Sequence, residues 1–310
     1  MERSAQLAIA QTALSALLWG TSFPLTAYGL KEGLGPLTFV FLRFALAVPL
    51  MVLICVTMGK KLLPLVSRKE VWILGILNAL GFLCQYIGQQ YTQASLAALL
   101  INMSVIFAAA GGAVFLGEKL GAGKAVGVAL AISGTVLITT NGSVSSLGGA
   151  QLLGVSLYLV SAISWAVYIV YAKQKTEQLA LDPAPLATWI VMITALILVP
   201  LAALSGEGLP TGSVSVEVVV YMALLNTAIP FILYQQGLGK LTAGLSAVVL
   251  MLEIVVALVV SVLLLGEAPT YYDFVGGIAI LSSILLVSGA EFGGKSLSVA
   301  EEAVGGVKDV

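Results

Sequence analysis

Apolar runs of about 20 residues recur along the chain, each closed by a polar, charged or Gly/Pro-rich break, and this alternation predicts membrane-spanning helices. Ten such runs start near residues 7, 35, 70, 93, 122, 150, 185, 216, 242 and 272. Breaks such as GKKLLPLVSRKE at 59–70, KQKTEQLALDPAP at 173–185 and SGEGLPTGSVS at 205–215 are unmistakable, whereas the links at Gln93 and Lys240 are very short. Within a bilayer such a run must satisfy its backbone internally, which a helix does. The predicted fold is therefore an all-α membrane protein of ten transmembrane helices. The N-terminal MERSAQLAIAQTALSALLWGTSF lacks a small-residue cleavage site after its apolar stretch and reads as a retained first span.

Residues 96–120 and 245–269 repeat one another at an offset of 149. In that register Leu116-Gly117-Glu118 falls on Leu265-Gly266-Glu267, Gly127 on Gly276 and Ser133 on Ser282. The chain divides on this basis into a first five-helix repeat at 1–145, a second at 146–290 and a disordered cytoplasmic tail at 291–310. An odd number of spans per repeat forces the second to cross the bilayer in the opposite sense, giving inverted-topology repeats.

Composition and charge agree with the pattern. Of 310 residues, 59% are hydrophobic and 9% charged, with a mean hydropathy of +1.07, against roughly 25% charged in soluble domains. With the N-terminus inside, the cytoplasmic segments collect Arg3, Lys60, Lys61, Arg68, Lys69, Lys119, Lys124, Lys173, Lys175, Lys240, Lys295 and Lys308, twelve of the fourteen Lys and Arg. Such segregation is the positive-inside signature, so both termini are expected to be cytoplasmic and the protein to be multi-pass in the cytoplasmic (inner) membrane. The net charge of -1, carried in loops and tail, argues against nucleic acid as a partner. Cys55 and Cys84 lie within apolar stretches and read as packing residues.

The segments LLWGTSFP in the first span and FLRFALAVP in the second, with the LGE endings of the fourth and ninth, resemble the ten-helix EamA branch of the drug/metabolite transporter superfamily. The resemblance covers about residues 7–290. It implies a secondary transporter of small metabolites, commonly an amino-acid exporter, with a central cavity lined by spans one, three, four, six, eight and nine. Where many relatives carry Pro in spans four and nine, this chain has Ser104-Val105 and Ile254.

The residues themselves suggest candidates. Glu253 lies about 16 Å into its span by helical rise, near the bilayer centre. A charge there costs at least about 2.5 kcal/mol on insertion scales, so it must face a cavity, pair or stay protonated. It is expected to bind a substrate amine or to titrate as the proton-coupling group, and the bland reading is a protonated Glu bonding a neighbouring helix. Its repeat mate is Ser104, so ionic chemistry at this level belongs to one half.

Asn78, Phe82, Gln85 and Gln89 form one helical stripe, which cannot face lipid. At an offset of 148, Asn226 and Tyr234 match Asn78 and Tyr86, and Pro230 frees a carbonyl one turn back. These polar groups read equally as helix glue or as cavity lining. Trp19 and Trp165 occupy equivalent depths, too deep for an interfacial belt, and with Tyr86, Tyr168 and Tyr234 could wall a pocket for an apolar side chain or an amine. Arg43 is expected to snorkel to the outer interface from a peripheral second span; a substrate carboxylate is its second reading. Glu118 and Glu267 are expected to bond the amides that start the following helix.

Together these features predict a secondary active transporter working by alternating access. Its substrates are expected to be small amphiphilic metabolites, amino acids foremost, including aromatic and apolar ones, moved outward. Efflux or uptake of organic cations and quaternary amines is the alternative. Sugar phosphates would call for several buried cations. A membrane-embedded enzyme is a distant reading: there is no His, no close Cys pair and no pair of mid-span acids, so no catalytic residue, metal or cofactor is expected. The expected partners are the substrate, the lipid bilayer and a coupled proton, with monomer and homodimer both open.

Overall fold

The computed structural model describes residues 2–116, 122–140, 149–238, 240–241, 249–250, 252–283 and 285–286. Among them all regular structure is helical. The helices are α1 (Glu2–Gly20), α2 (Ser22–Lys31), α3 (Pro36–Thr57), α4 (Lys69–Gln89), α5 (Ala94–Leu116), α6 (Ala122–Thr140), α7 (Gly149–Leu179), α8 (Pro183–Leu204), α9 (Ser213–Ala223), α10 (Ile229–Leu238), α11 (Leu252–Val260) and α12 (271–283). A π segment, Leu224–Ala228, joins α9 to α10, and a second, Ser261–Leu265, closes α11. Pro36–Thr57, Lys69–Gln89, Gly149–Ala172, Pro183–Leu204 and Ser213–Leu238 are long and apolar enough to cross a bilayer, and Ala94–Ala108, Ala125–Gly134 and Leu252–Leu265 are shorter apolar helices. Helix α5 runs unbroken through Ser104, where no proline interrupts it. Glu118 and the tail 291–310 lie outside the described residues.

Large apolar side chains such as Leu53, Leu196, Leu263 and Ile278 point outward, as a lipid-facing perimeter requires. The interior carries the polar residues. Helix α3 starts at Pro36, where a missing N–H costs nothing, and two of its unpaired amides find the Glu207 carboxylate: Thr38 N donates to Oε2 at 2.7 Å and Leu37 N to Oε1 at 3.3 Å. At its other end Lys60 Nζ pairs with Asp182 Oδ2 at 2.6 Å. Because Asp182 precedes α8 and Glu207 follows it, α3 and α8 are an antiparallel pair clamped at both ends.

Glu267 does comparable work at α5. Its oxygens accept from Ala94 N at 2.8 Å, Ser95 N at 3.1 Å and Ser95 Oγ at 2.7 Å. The expected role was right in kind and wrong in target: the carboxylate caps α5, remote in sequence, rather than the helix that follows. Gly266, at φ +66°, ends the π segment in a conformation that suits glycine, and the carboxylate reaches α5 beyond it.

Helices α4 and α7 run antiparallel in close contact. Ser161 Oγ donates to the Gly81 carbonyl at 2.9 Å and Ser164 Oγ to that of Leu77 at 2.8 Å. A methyl added at Gly88 would stand 3.2 Å from the Gly154 carbonyl, so small residues set the separation. Helices α1 and α10 make a matching antiparallel pair through Gln11 and Gln236 (2.8 Å) and Ser15 Oγ with the Pro230 carbonyl (3.1 Å). Helix α1 also meets α11, where a Cβ on Gly20 would lie 2.7 Å from the Glu253 carbonyl. Each of these pairs joins one helix from residues 1–145 to one from 146–290, so the two stretches of sequence interleave instead of packing as separate bodies.

Candidate substrate cavity

Pro230 is the local origin of the site. Lacking an N–H, it cannot close the helical bond to the carbonyl of Asn226, and the chain answers with the π segment Leu224–Ala228. The released carbonyl accepts from Arg43 Nη2 at 2.7 Å and from Trp19 Nε1 at 3.1 Å. Arg43 Nε donates to Thr227 Oγ1 at 2.7 Å and Nη1 to Tyr86 Oη at 3.3 Å. Its guanidinium carbon lies 4.7 Å from the Phe82 ring centroid and 5.6 Å from that of Phe44.

The expectation that Arg43 snorkels outward is therefore corrected. The residue is 1% exposed. On this face α3 packs on α8, α9 and the π segment, so the side chain meets freed backbone and hydroxyl acceptors instead of turning outward.

A partly enclosed cavity opens beside this cluster. Trp19, Ser22 and Phe23 of α1 and α2 line it, together with Arg43 of α3 and Phe82 and Gln85 of α4. Ile101, Asn102 and Ser104 of α5, Trp165 and Ile169 of α7, Tyr234 of α10, then Leu250 and Glu253 complete the wall. Residues matched between the sequence halves converge here: Trp19 with Trp165 and Phe23 with Ile169 at an offset of 146, Ile101 with Leu250 and Ser104 with Glu253 at 149.

Of the residues singled out from sequence, Trp19, Phe82, Gln85, Trp165, Tyr234 and Glu253 share this wall. Asn78, Tyr86, Gln89, Tyr168 and Asn226 lie behind it, bonded to other helices. Asn78 Nδ2 donates to Thr194 Oγ1 at 2.8 Å, and Gln89 Oε1 accepts from Tyr158 Oη at 2.7 Å. Tyr168 Oη accepts from Gln235 Nε2 at 2.6 Å and Tyr86 Oη from Arg43. Asn226 Nδ2 donates to the Leu18 carbonyl and, at 3.0 Å, to Thr21 Oγ1, holding the break between α1 and α2. Arg43 was read from sequence chiefly as an anchor, with a substrate carboxylate as its second reading; Ser22, Asn102, Phe23, Ile101, Ile169 and Leu250 were not singled out. Arg43 and Asn102, polar residues inside apolar runs, carried a visible signal; Phe23, Ile101 and Leu250 carried none.

Aromatic faces bound the cavity. Trp19 meets Tyr234 edge-on at 5.1 Å and Phe82 meets Trp165 at 5.4 Å, while Phe231 bridges the two groups at 5.6 Å from Trp19 and 6.4 Å from Trp165. Among the described residues Glu253 makes no hydrogen bond or ion pair. A wall of aromatic rings, two amides, three hydroxyls, one guanidinium and one carboxylate can hold a small amphiphile and bond both its poles.

The model of the EamA-like transporter family matches residues 6–140 and again 152–289. The chain belongs to that family. This EamA-like protein is 29% identical over 282 residues to an uncharacterized transporter of Archaeoglobus fulgidus, covering 89% of this chain and 95% of that protein. It is 26% identical over 287 residues to a probable terminal-alkyne amino-acid exporter of Streptantibioticus cattleyicolor, covering 89% and 91%. A crystal structure with 17% sequence identity superposes with a TM-score of 0.68, covering 90% of this chain and 95% of that one, and so shares its fold. The EamA-like chain is thus a multi-pass helical membrane transporter of the drug/metabolite superfamily.

Proposed function

We propose that the protein moves amino acids, apolar and aromatic ones included, outward across the cytoplasmic membrane by alternating access. The observation that carries the reading is Glu253, a carboxylate with no hydrogen bond or ion pair among the described residues, in a cavity walled by Trp19, Phe82, Trp165 and Tyr234. A free carboxylate within an apolar helix of a membrane protein is costly unless it serves a cationic ligand or a proton, and the rings suit an apolar side chain. Similarity to a probable terminal-alkyne amino-acid exporter supports the direction and substrate. The proposed topology is ten spans, five from residues 1–145 and five inverted from 146–290, with both termini cytoplasmic, in keeping with the Lys and Arg distribution. The tail 291–310 belongs to neither. Interleaving makes α4 with α7 and α1 with α10 the bodies that move, since each pair is zipped along its length. Organic cations are the second reading, favoured by the same carboxylate and rings.

Uptake of radiolabelled amino acids and quaternary amines into proteoliposomes, with and without a pH gradient, tests this. Saturable amino-acid uptake is expected, and Glu253→Gln should abolish it or remove its dependence on the gradient while the protein remains folded. Gradient dependence retained in Glu253→Gln would end the coupling role, and uptake of amines alone would favour the second reading.

A further inference from the structure

Arg43 and Glu253 line one cavity and do not pair. No ion pair between them falls within 4.0 Å, and among the described residues Lys60–Asp182 is the ion pair that forms. A guanidinium that is 1% exposed, with no carboxylate partner among the described residues, is expensive to keep in a bilayer. The structure nevertheless builds a seat for it. Thr227 Oγ1, the Asn226 carbonyl and Tyr86 Oη take three of its N–H groups, and five less three leaves two donors uncommitted among the described residues. Neutral acceptors fix the orientation of the fork, and no carboxylate meets it within 4.0 Å among the described residues, an arrangement that suits a ligand bringing its own negative charge.

We propose that Arg43 is the carboxylate-binding residue of the cavity, so that the site selects zwitterions, with the amine pole at Glu253 and the carboxylate at Arg43. This deepens the amino-acid reading above and rests on it. It also turns the same cavity against simple organic cations, because a ligand with an amine alone leaves the guanidinium unpaired. Phe82, whose ring lies 4.7 Å from the guanidinium carbon, and Gln85 one turn further on α4 belong to the same wall. The side chain of an apolar amino acid would lie against Trp19, Trp165 and Tyr234.

The test is equilibrium binding to the full-length protein in nanodiscs of three probes differing only in their poles: phenylalanine, phenethylamine without the carboxylate, and 3-phenylpropionate without the amine. Wild type is expected to bind phenylalanine about tenfold to a hundredfold tighter than either truncated probe, the factor a charge-assisted bond supplies. In Arg43→Gln and Arg43→Lys the preference for phenylalanine over phenethylamine should collapse to within about threefold for Gln and in part for Lys, which keeps charge without the fork. A role confined to packing would weaken all three probes alike and leave the preference intact, which overturns the proposal. If the Arg43 variants do not fold, the wild-type series decides by itself: equal binding of phenylalanine and phenethylamine overturns the carboxylate role while leaving an amine-binding transporter standing. Binding of none of the three overturns the amino-acid reading and this one with it.

Discussion

Helix α4 and the broken helix α9–α10 match in sequence at an offset of 148, yet they do different work. Helix α4 is continuous and lies along α7 as a scaffold, its Asn78 bonded to Thr194 of α8 and its Tyr86 buried behind the wall. Its counterpart opens at Leu224–Ala228, and there the matching Asn226 grips the Leu18–Thr21 turn, while the matching Tyr234 looks into the cavity. One substitution in the register accounts for much of this: Phe82 on α4 stands where Pro230 stands on the other helix. A proline removes one backbone bond and so creates a carbonyl free to organise side chains from α1 and α3. Related helices can thus share a packing plan and both reach the cavity, α4 through Phe82 and Gln85 on an unbroken backbone and its counterpart through an opened one.

Breaking this contrast outright calls for Pro230→Ala. With an N–H restored, the Asn226 carbonyl is drawn back into the helix, and Arg43 and Trp19 lose a shared acceptor. A hydrogen bond from a charged donor contributes about 1.5–3 kcal/mol, so uptake at low substrate should fall by about tenfold or more in protein that stays monodisperse. Unchanged uptake would mean that the opening of this helix is incidental to the site.

The paired asparagines sharpen the contrast. Asn78→Ala and Asn226→Ala should each lower the melting temperature of the purified protein modestly, because an interhelical hydrogen bond in a membrane averages about 0.6 kcal/mol. Substrate affinity should drop several-fold only for Asn226→Ala, since that side chain holds the turn beside Trp19. Equal affinity losses would erase the distinction between scaffold and site.

The two tryptophans offer the finest comparison. Trp19 donates to the Asn226 carbonyl, whereas Trp165 Nε1 is buried with no partner among the described residues. Trp19→Phe removes a bond worth about 0.5–1.5 kcal/mol and should weaken substrate binding by about twofold to tenfold; Trp165→Phe should stay within about twofold. The opposite order in a binding assay would assign the Trp165 N–H to the substrate.

Several features were legible before any fold was drawn. The apolar runs beginning near 35, 70 and 185 coincide with helices starting at Pro36, Lys69 and Pro183, because helix length in a bilayer follows directly from hydrophobic length. Glu253 and both tryptophans were singled out along the chain, and all three line the cavity. Arg43 was misjudged because α3 is apolar on every side and therefore announces no inner face. Glu267 was assigned to the nearest helix in sequence, when its partner lies 173 residues away.

By itself, then, the sequence determined the solvent this protein lives in, where several of its long apolar helices begin, the family it belongs to and the place where one helix must break. Only the tertiary structure decided which polar residues face the cavity and which bond each other behind it. That choice depends on the rotation of each helix about its axis and on its register against neighbours. Both are set by close contacts such as those at Gly20, Gly81 and Gly237, between residues far apart in the chain.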